Sequence, residues 1–393
     1  MRPELNPFTP GSGLRPPALE GRGKQIDDFD LLVARSKRRQ YDRGMMLSGL
    51  RGVGKTVLLN RLAEHAESQG WMVAQMEARA TDVGVTVSRR RLIGELRRGV
   101  QRYSRRHDLQ KKLQPVLEFV ERLHLTLAAG PGGVTVTAGR GAQSAMPTMD
   151  WEYEFETLVE DIGAILAKHG SALGVFIDEL QDIDDATLES LLAVQHTASQ
   201  RGWPFFLVGA GLPNLPSRLA ECRSYAERQF AFSTIGALAP ADASDALTVP
   251  IREVGGDLSG EAREILLHAA DGYPYFLQEY GKAVWAVAET VPFSSEDAHQ
   301  AVDMGNIELD AGFYPSRWDR TNASEQAYLR GLADTGHDSP RSSDVAARIG
   351  KTGSSASPIR DSLIKKGLIW APEYGRIAFT VPGMAAFIHR QPL

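Results

Sequence analysis

The alternation of apolar and polar positions in the first half of the chain predicts strands separated by amphipathic helices. The stretch MMLSGLRGVGKTVLLNRLAEHAESQGWMVAQM reads as a short apolar strand, a glycine loop, a helix and a second strand. Further apolar runs occur in GVFID, PFFLVG and QFAFSTI, and helical patterns precede and follow the first of them. Strands that alternate with helices are typical of an α/β fold with a parallel sheet.

The pattern changes in the last third of the chain. Residues 260–288 predict a helical segment, and the residues from 320 onward look self-contained. There, three helical patterns, SEQAYLRGLAD, SSDVAARIG and SSASPIRDSLIKKG, come before two strand patterns, GLIWAP and GRIAFTVP, which flank a turn. Three helices followed by a β-ribbon are typical of a winged helix, a variant of the helix-turn-helix.

Length and composition indicate a multidomain protein of the cytoplasm. At about 100 to 200 residues per domain, 393 residues predict two or three domains, and 42% apolar residues supply ordinary cores. The single cysteine, Cys222, excludes both a disulfide framework and a thiolate metal site. No run approaches the ~18 to 20 apolar residues of a membrane span. The first residues also lack the apolar core of a signal peptide.

Charge is distributed unevenly along the chain. The net charge is −5, but the residues from 320 onward contain ten Lys plus Arg and six Asp plus Glu, which leaves −9 for the remainder. A basic tail on an acidic body favours a polyanionic partner such as duplex DNA. A second basic stretch, 89–112, has Leu92, Leu96 and Val100 at helical spacing. It is either an exposed helix face or a contact for nucleic acid or an acidic partner.

Residues 49–56 match the phosphate-binding motif G-x-x-x-x-G-K-[ST] between a predicted strand and a predicted helix. The glycines let backbone N–H groups converge on a phosphate, and the start of the helix adds its positive dipole end. Lys55 would reach the β- and γ-phosphates, and the Thr56 hydroxyl would bind Mg²⁺. The predicted nucleotide contacts are Gly49, Leu50, Arg51, Gly52, Val53, Gly54, Lys55, Thr56 and Val57.

The segment GVFIDE supplies the chemistry that a phosphate loop lacks. Its apolar part predicts a buried strand that delivers Asp178 to the carboxyl edge of the sheet, where this carboxylate can hold Mg²⁺ through water. The next residue, Glu179, is placed to polarise the attacking water. We therefore expect hydrolysis of a nucleoside triphosphate, with Lys55 and Glu179 in catalytic roles.

The motifs GLRGVGKT and FIDELQD, with LEGR before them and a winged-helix pattern after them, carry a family resemblance. The chain resembles AAA+ ATPases of the origin-recognition initiator type, and the archaeal-type ATPases of the related STAND signalling group. The resemblance implies ATP and ADP as ligands, and the sequence lacks the N-K-x-D motif for guanine. It also implies that Gly21 and Arg22 lie near the adenine.

Three positions in this comparison concern catalysis and switching. Arg228 stands where initiators present an arginine finger to a neighbouring subunit, which implies self-association through the ATPase domain. The strand ending in GAGLPN corresponds to the sensor-1 strand, and Asn214 is its nearest polar candidate. In place of a sensor-2 arginine the chain has DGYPYF, where Gly272 and Pro274 match the G-x-P motif of STAND proteins. This departure favours a nucleotide switch over a processive motor.

The third helix of the tail is the expected reader of a DNA groove. Lysines and hydroxyls would contact phosphates, and a few side chains would contact bases. The candidate DNA contacts are Ser355, Ser357, Arg360, Lys365, Lys366 and Arg376.

Two functions remain open from the sequence. One is an ATP-hydrolysing switch coupled to DNA binding through the winged helix. The other is a STAND-type signalling ATPase whose winged helix binds protein. The expected domains are an extended leader (1–20), a P-loop ATPase core (21–240) with a loop or β-ribbon insertion (125–150), a helical lid (241–319) and a winged-helix domain (320–393).

Overall fold

The structure is a computed structural model that describes residues 1–11, 13–79, 82, 84–129 and 150–392. Its centre is a parallel sheet in the strand order β2-β3-β4-β1-β5. The five strands are β1 (Gly44–Gly49), β2 (Met72–Glu77), β3 (Leu173–Asp178), β4 (Phe205–Gly211) and β5 (Phe230–Ile235). Because all neighbouring strands are parallel, their carboxyl ends share one edge. The predicted strands and α/β fold are confirmed.

Eight helices accompany these strands in the described part of residues 21–239. They are α1 (Gly23–Lys37), α2 (Lys55–Ser68), α3 (Val85–Arg106), α4 (Gln110–Ala129), α5 (Trp151–Lys168), α6 (Asp185–Arg201), α7 (Leu215–Cys222) and α8 (Ala226–Gln229). Successive strand residues point to opposite faces. In β4, Phe206 packs with the buried residues of α1 and α2, whereas Phe205 packs with those of α3 to α6.

Helix α4 corrects part of the predicted insertion. We expected a loop or β-ribbon over 125–150, but residues 125–129 continue α4. Val116, Val120, Leu123 and Leu127 are buried at spacings of three and four, so one face of the helix belongs to the core. The remainder of that predicted insertion, up to residue 149, lies outside the described residues.

A helical segment, which we call the lid, and a C-terminal segment, which we call the tail, follow the sheet. The lid helices are α9 (Pro240–Glu253), α10 (Gly260–Ala270), α11 (Pro274–Val287), α12 (Ser295–Glu308) and α13 (Pro315–Trp318), with a π-helical turn at Leu309–Phe313. The C-terminal elements are α14 (Ala323–Ala333), α15 (Ser342–Arg348), α16 (Gly353–Lys365), β6 (Ile369–Trp370), β7 (Ala378–Phe379) and α17 (Met384–Arg390). Strands β6 and β7 pair antiparallel. The three helices and the ribbon thus lie where the sequence predicts them.

The N-terminal leader is packed against the lid. It has one short helical turn, Pro3–Leu5, and is otherwise extended. The ring of Phe8 is buried so closely against α11 that a Cβ at Gly281 would lie 2.7 Å from it. The indole Nε1 of Trp285 donates to the carbonyl of Arg2 at 2.9 Å. The leader therefore forms part of the wall around the carboxyl edge of the sheet.

One apolar core runs from the sheet into the tail. Phe206 of the sheet, Trp285 of the lid and Phe387 of α17 belong to the same contiguous cluster of buried side chains. Within the described ranges, every helix falls short of the length and apolar character that crossing a bilayer requires.

Candidate nucleotide-binding and catalytic site

The phosphate loop joins β1 to α2. Gly52 and Gly54 adopt φ values of 81° and 91°, a left-handed conformation that glycine enters without a Cβ penalty. Lys55 begins α2, is only 6% exposed, and donates from Nζ to the carbonyl of Leu50 at 2.7 Å. Burial lowers the pKa of Lys55 to about 8. The loop thus holds a buried amine where an anion would offset its desolvation.

Thr56 and Asp178 meet at the carboxyl edge of the sheet, as the sequence predicts. Strand β4 lies between β1 and β3, so the residues that follow those two strands flank its end. The Thr56 hydroxyl donates to Asp178 Oδ2 at 2.7 Å. Asp178 is 8% exposed, and burial raises its pKa. A hydroxyl and a carboxylate in contact provide two hard oxygen ligands in one place.

Glu179 is held in a specific orientation beside this pair. Its backbone has φ 48° and ψ 42°, a left-handed conformation that costs a non-glycine residue roughly 1 to 2 kcal/mol. Arg51 Nη1 lies 3.2 Å from Glu179 Oε1, and Gln181 Nε2 donates to Oε2 at 2.5 Å. The carboxylate is therefore fixed from two sides while it faces the phosphate loop.

Gln181 is a residue of this site that the sequence analysis did not name. Its Oε1 accepts from the backbone N–H of Leu212 at 3.0 Å, at the end of β4. A Cβ at Gly211 would lie 2.6 Å from that oxygen, so the glycine makes room for the amide. Asn214, the sensor-1 candidate, is exposed at the start of α7. The sequence feature that could have indicated this residue is the glutamine in DELQD, together with the glycines of GAG that leave room for its side chain.

A cavity of about 590 Å³ opens over the phosphate loop. The predicted site residues on its wall are Arg22, Arg51, Gly52, Val53, Gly54, Lys55, Thr56, Val57, Glu179 and Pro274. Leader residues between Thr9 and Glu20, several lid residues between Tyr275 and Arg317, and Leu238 and Ala246 also line it. Gly49 and Leu50 lie at the base of the loop. Asp178 is not on the cavity wall, but it accepts a hydrogen bond from Thr56, which is. The fold thus brings the predicted nucleotide contacts around one space.

Arg22 and Gly21 connect the leader to this site. The guanidinium of Arg22 is buried and donates from Nη2 to the carbonyls of Val53 and Gly236, at 2.9 and 2.8 Å. Gly21 has φ 67°, and a Cβ there would lie 2.8 Å from the Asp242 carboxylate. Both residues are packed against the rim of the cavity, and contact with adenine stays a prediction.

Arg228 and the tail residues lie away from the cavity. Arg228 is exposed at the end of α8, next to the edge strand β5. In the tail, Lys366 Nζ donates to the buried Glu325 carboxylate at 2.7 Å, so this amine is engaged within its own domain. Arg360 pairs with Asp361 at 2.9 Å. Lys365 and the first turn of α16, which includes Ser355, are exposed.

The basic stretch 89–112 is divided between α3 and α4, and four of its ten cations form ion pairs with carboxylates of the described residues. Arg97 contacts Glu121 at 3.0 Å, and Arg102 contacts Glu67 at 3.2 Å. Arg90 donates to a carbonyl of α4. These contacts favour the first of the two readings, an exposed and internally paired helix face.

Comparisons with known proteins agree with this geometry. Residues 18–208 match the model of the AAA ATPase domain family, and residues 311–388 match a domain of unknown function, DUF8462. The Walker-type ATPase PABY2304 of Pyrococcus abyssi is 14% identical, with a TM-score of 0.63 over 98% of this chain and 99% of that chain. The fold is therefore that of a P-loop ATPase.

Two other solved structures are less similar. The Aeropyrum pernix ORC1 protein in complex with DNA has 14% identity and a TM-score of 0.46, over 95% of this chain and 94% of that chain. The Thermotoga maritima RuvB Holliday junction branch migration motor has 14% identity and a TM-score of 0.45, over 97% and 100%. A search of curated proteins finds no match.

Proposed function

We propose that the chain is an ATP-hydrolysing switch whose nucleotide state is transmitted to a DNA-binding winged helix. One observation carries the proposal. Arg51 of the phosphate loop contacts the Glu179 carboxylate and also the C-terminal domain, where a Cβ at Gly367 would lie 3.0 Å from its Nη2. A single side chain thus connects the hydrolytic site to the tail.

The residues at the site suit Mg²⁺ and ATP. Thr56 Oγ1 and Asp178 Oδ2, already in contact, are oxygen ligands of the kind that Mg²⁺ takes together with water and phosphate oxygens. When bound, the ion would neutralise charge on the phosphates. Lys55 binds the β- and γ-phosphates, and Glu179 accepts the proton of the attacking water. Arg51 and Gln181 keep the Glu179 carboxylate in place for that transfer.

The coupling to the tail follows from charge. Arg51 is paired with Glu179 at 3.2 Å. A γ-phosphate offers Arg51 a stronger anionic partner in the same cavity. Since Gly367 of the tail packs against both Leu212 and Arg51, a movement of the Arg51 side chain alters the contact between the tail and the ATPase core. Nucleotide state would then set the position of the tail.

DNA binding is proposed for the exposed face formed by the start of α16 and the ribbon. Lys351 and Ser355 are exposed there, as are Arg376 and the fully exposed Tyr374 at the tip of the ribbon. Hydroxyls and cations of this kind contact phosphates in helix-turn-helix proteins.

Lys366 is left out of this interface because its partner, the Glu325 carboxylate, is buried. Arg376 also has partners in its own domain, the Ser339 carbonyl at 2.6 Å and Glu373 at 3.5 Å, but Glu373 is exposed and Arg376 itself stays exposed.

The salt dependence of DNA binding tests this interface. We expect the full chain, with Mg²⁺ and ATP, to bind duplex DNA with an affinity that falls as salt rises, by about 0.9 in logarithmic slope per phosphate contact. Replacing Lys351 and Arg376 together by alanine should reduce that slope by about 2. Fluorescence anisotropy of labelled duplex DNA across a salt series measures the slope.

The matched control removes two charges elsewhere. Lys24 and Lys168 are exposed on α1 and α5, so their double alanine variant should keep the wild-type slope. An equal decrease of the slope in both double variants would mean that DNA affinity depends only on the net charge of the protein. A wild type that does not bind DNA would refute this part of the proposal and leave a protein partner, as in a STAND-type ATPase, as the alternative.

Self-association through Arg228 is a second consequence that can be measured. If this exposed arginine reaches the γ-phosphate of a neighbouring subunit, ATP should favour assembly because ADP lacks that charge. Arg228→Ala should then weaken ATP-dependent assembly and lower turnover while leaving ATP affinity unchanged. Analytical ultracentrifugation with ATP or ADP and Mg²⁺ provides the test.

Arg61, an exposed arginine on α2, supplies the control for that experiment. Arg61→Ala should assemble as the wild type does. A wild type that stays monomeric in ATP, with and without DNA, would end the trans-acting model and leave a switch that closes within one chain.

A further inference from the structure

The connection between the lid and the tail brings an arginine into the nucleotide cavity. The π-helical turn and α13 place Phe313, Ser316 and Arg317 on the cavity wall. The Arg317 guanidinium stacks over the Phe313 ring at 4.0 Å and donates from Nη1 to the Phe313 carbonyl. The side chain is therefore fixed at the cavity wall by its own turn.

Two buried polar groups lack protein partners in the described part of the chain, one on Arg317 in the cavity wall and one on Tyr273, which packs against the phosphate loop at Gly52. Among the described residues, nothing accepts from the buried Arg317 Nε or pairs with the buried Tyr273 hydroxyl. Tyr273 is 2% exposed, and its hydroxyl lies 3.1 Å from where a Cβ of Gly52 would stand. A buried polar group without a partner costs about 1 to 3 kcal/mol, so water, an ion or a ligand that supplied the partner would be stabilising here.

The electrostatics of this wall also favour an anion. Burial lowers the pKa of Arg317, and the positive charge of Arg51 lowers it further. Two guanidinium groups thus act on each other beside the phosphate loop. No carboxylate in the described ranges forms an ion pair with Arg317, whereas Arg51 has Glu179. An anion placed between the two arginines would relieve this repulsion.

We propose that Arg51, Tyr273 and Arg317 form a subsite for the terminal phosphate of a nucleoside triphosphate. The inference rests on the nucleotide function proposed above. Lys55 and Thr56 are committed to the β- and γ-phosphates and the metal, so the third phosphate points toward Glu179. Arg51 contacts Glu179, and Tyr273 contacts the loop at Gly52. The subsite therefore lies where ATP has a phosphate and ADP has none.

Arg317 also lies in the segment that leads to the tail. Three residues before it, the Tyr314 hydroxyl donates to the carbonyl of Pro382 at 3.0 Å, and its ring stacks on Phe387 at 5.1 Å. A phosphate that draws Arg317 toward the loop would act on the same turn that holds the C-terminal domain. This is a second route from nucleotide to tail, separate from the contact between Arg51 and Gly367.

Nucleotide discrimination tests the subsite. Calorimetry would compare a non-hydrolysable ATP analogue with ADP, each with Mg²⁺, on the full chain. Arg317→Gln should raise the Kd for the triphosphate about 10- to 100-fold, as expected for a lost charge-assisted contact, and change the Kd for ADP less than about 3-fold. Tyr273→Phe, which removes only the hydroxyl, should weaken the triphosphate about 2- to 10-fold. Arg317→Lys keeps the charge and should recover part of the loss.

The control is Arg320→Gln, which removes the same charge from an exposed position three residues further on. It should leave both affinities unchanged. The subsite would be overturned if Arg317→Gln weakened the binding of the triphosphate and the diphosphate equally. It would also be overturned if neither Arg317→Gln nor Tyr273→Phe weakened binding of the triphosphate. A wild type that binds neither nucleotide would instead refute the proposed function. Thermal unfolding of each variant shows whether a loss of nucleotide affinity comes from a loss of folded protein. If Arg317→Gln is unstable, Tyr273→Phe still tests the subsite, because it keeps the packing of the ring.

Discussion

Replacing Glu179 by glutamine should lower ATP turnover by about 10²- to 10⁴-fold, the range typical of a lost general base. The amide keeps the volume of the carboxylate but cannot accept a proton from water. ATP should still bind, because the Lys55 and Thr56 contacts with the phosphates do not involve this side chain. A phosphate-release assay and calorimetry on the same preparation separate turnover from binding.

Glu189 provides the comparison for this variant. It is exposed on α6, and Glu189→Gln makes the same chemical change outside the cavity. Turnover of this control should match the wild type. If Glu179→Gln hydrolyses ATP at the wild-type rate, another group accepts the proton and Glu179 serves only to pair with Arg51.

Replacing Lys55 by alanine should weaken ATP binding by about 10- to 150-fold. The ammonium makes a charge-assisted contact in a buried site, and such contacts contribute about 1.5 to 3 kcal/mol. The affinity for ADP should fall as well, because Lys55 reaches the β-phosphate in addition to the γ-phosphate. Calorimetry with both nucleotides measures this and separates it from the triphosphate-selective effect expected for Arg317.

Lys24→Ala is the control, since Lys24 is exposed on α1. It should bind ATP as the wild type does. A folded Lys55→Ala protein with wild-type ATP affinity would show that residues 49–56 are not a phosphate loop. Because Lys55 also donates to the Leu50 carbonyl, the free energy of unfolding should be measured for both variants.

The sequence by itself determined the elements and the centre of the site. The phosphate loop consists of consecutive residues, so its strand, glycines and helix start can be read from local spacing. The carboxylates of FIDE follow directly from an apolar strand, and parallel strands place their ends at one edge. The same local reasoning located the three helices and the ribbon of the tail. Their DNA contacts remain predictions.

Only the tertiary structure decided which distant residues complete the site. Arg51 and Glu179 are 128 residues apart, and Gln181 reaches Glu179 while bonding the backbone after β4. Arg317 enters the cavity on a turn between the lid and the tail. No local pattern records such contacts, because they depend on how elements pack rather than on the period of any one element. The position of the extended leader could not be predicted for the same reason. Its residues line the cavity because Phe8 packs against α11 of the lid, a contact that exists only in the folded protein.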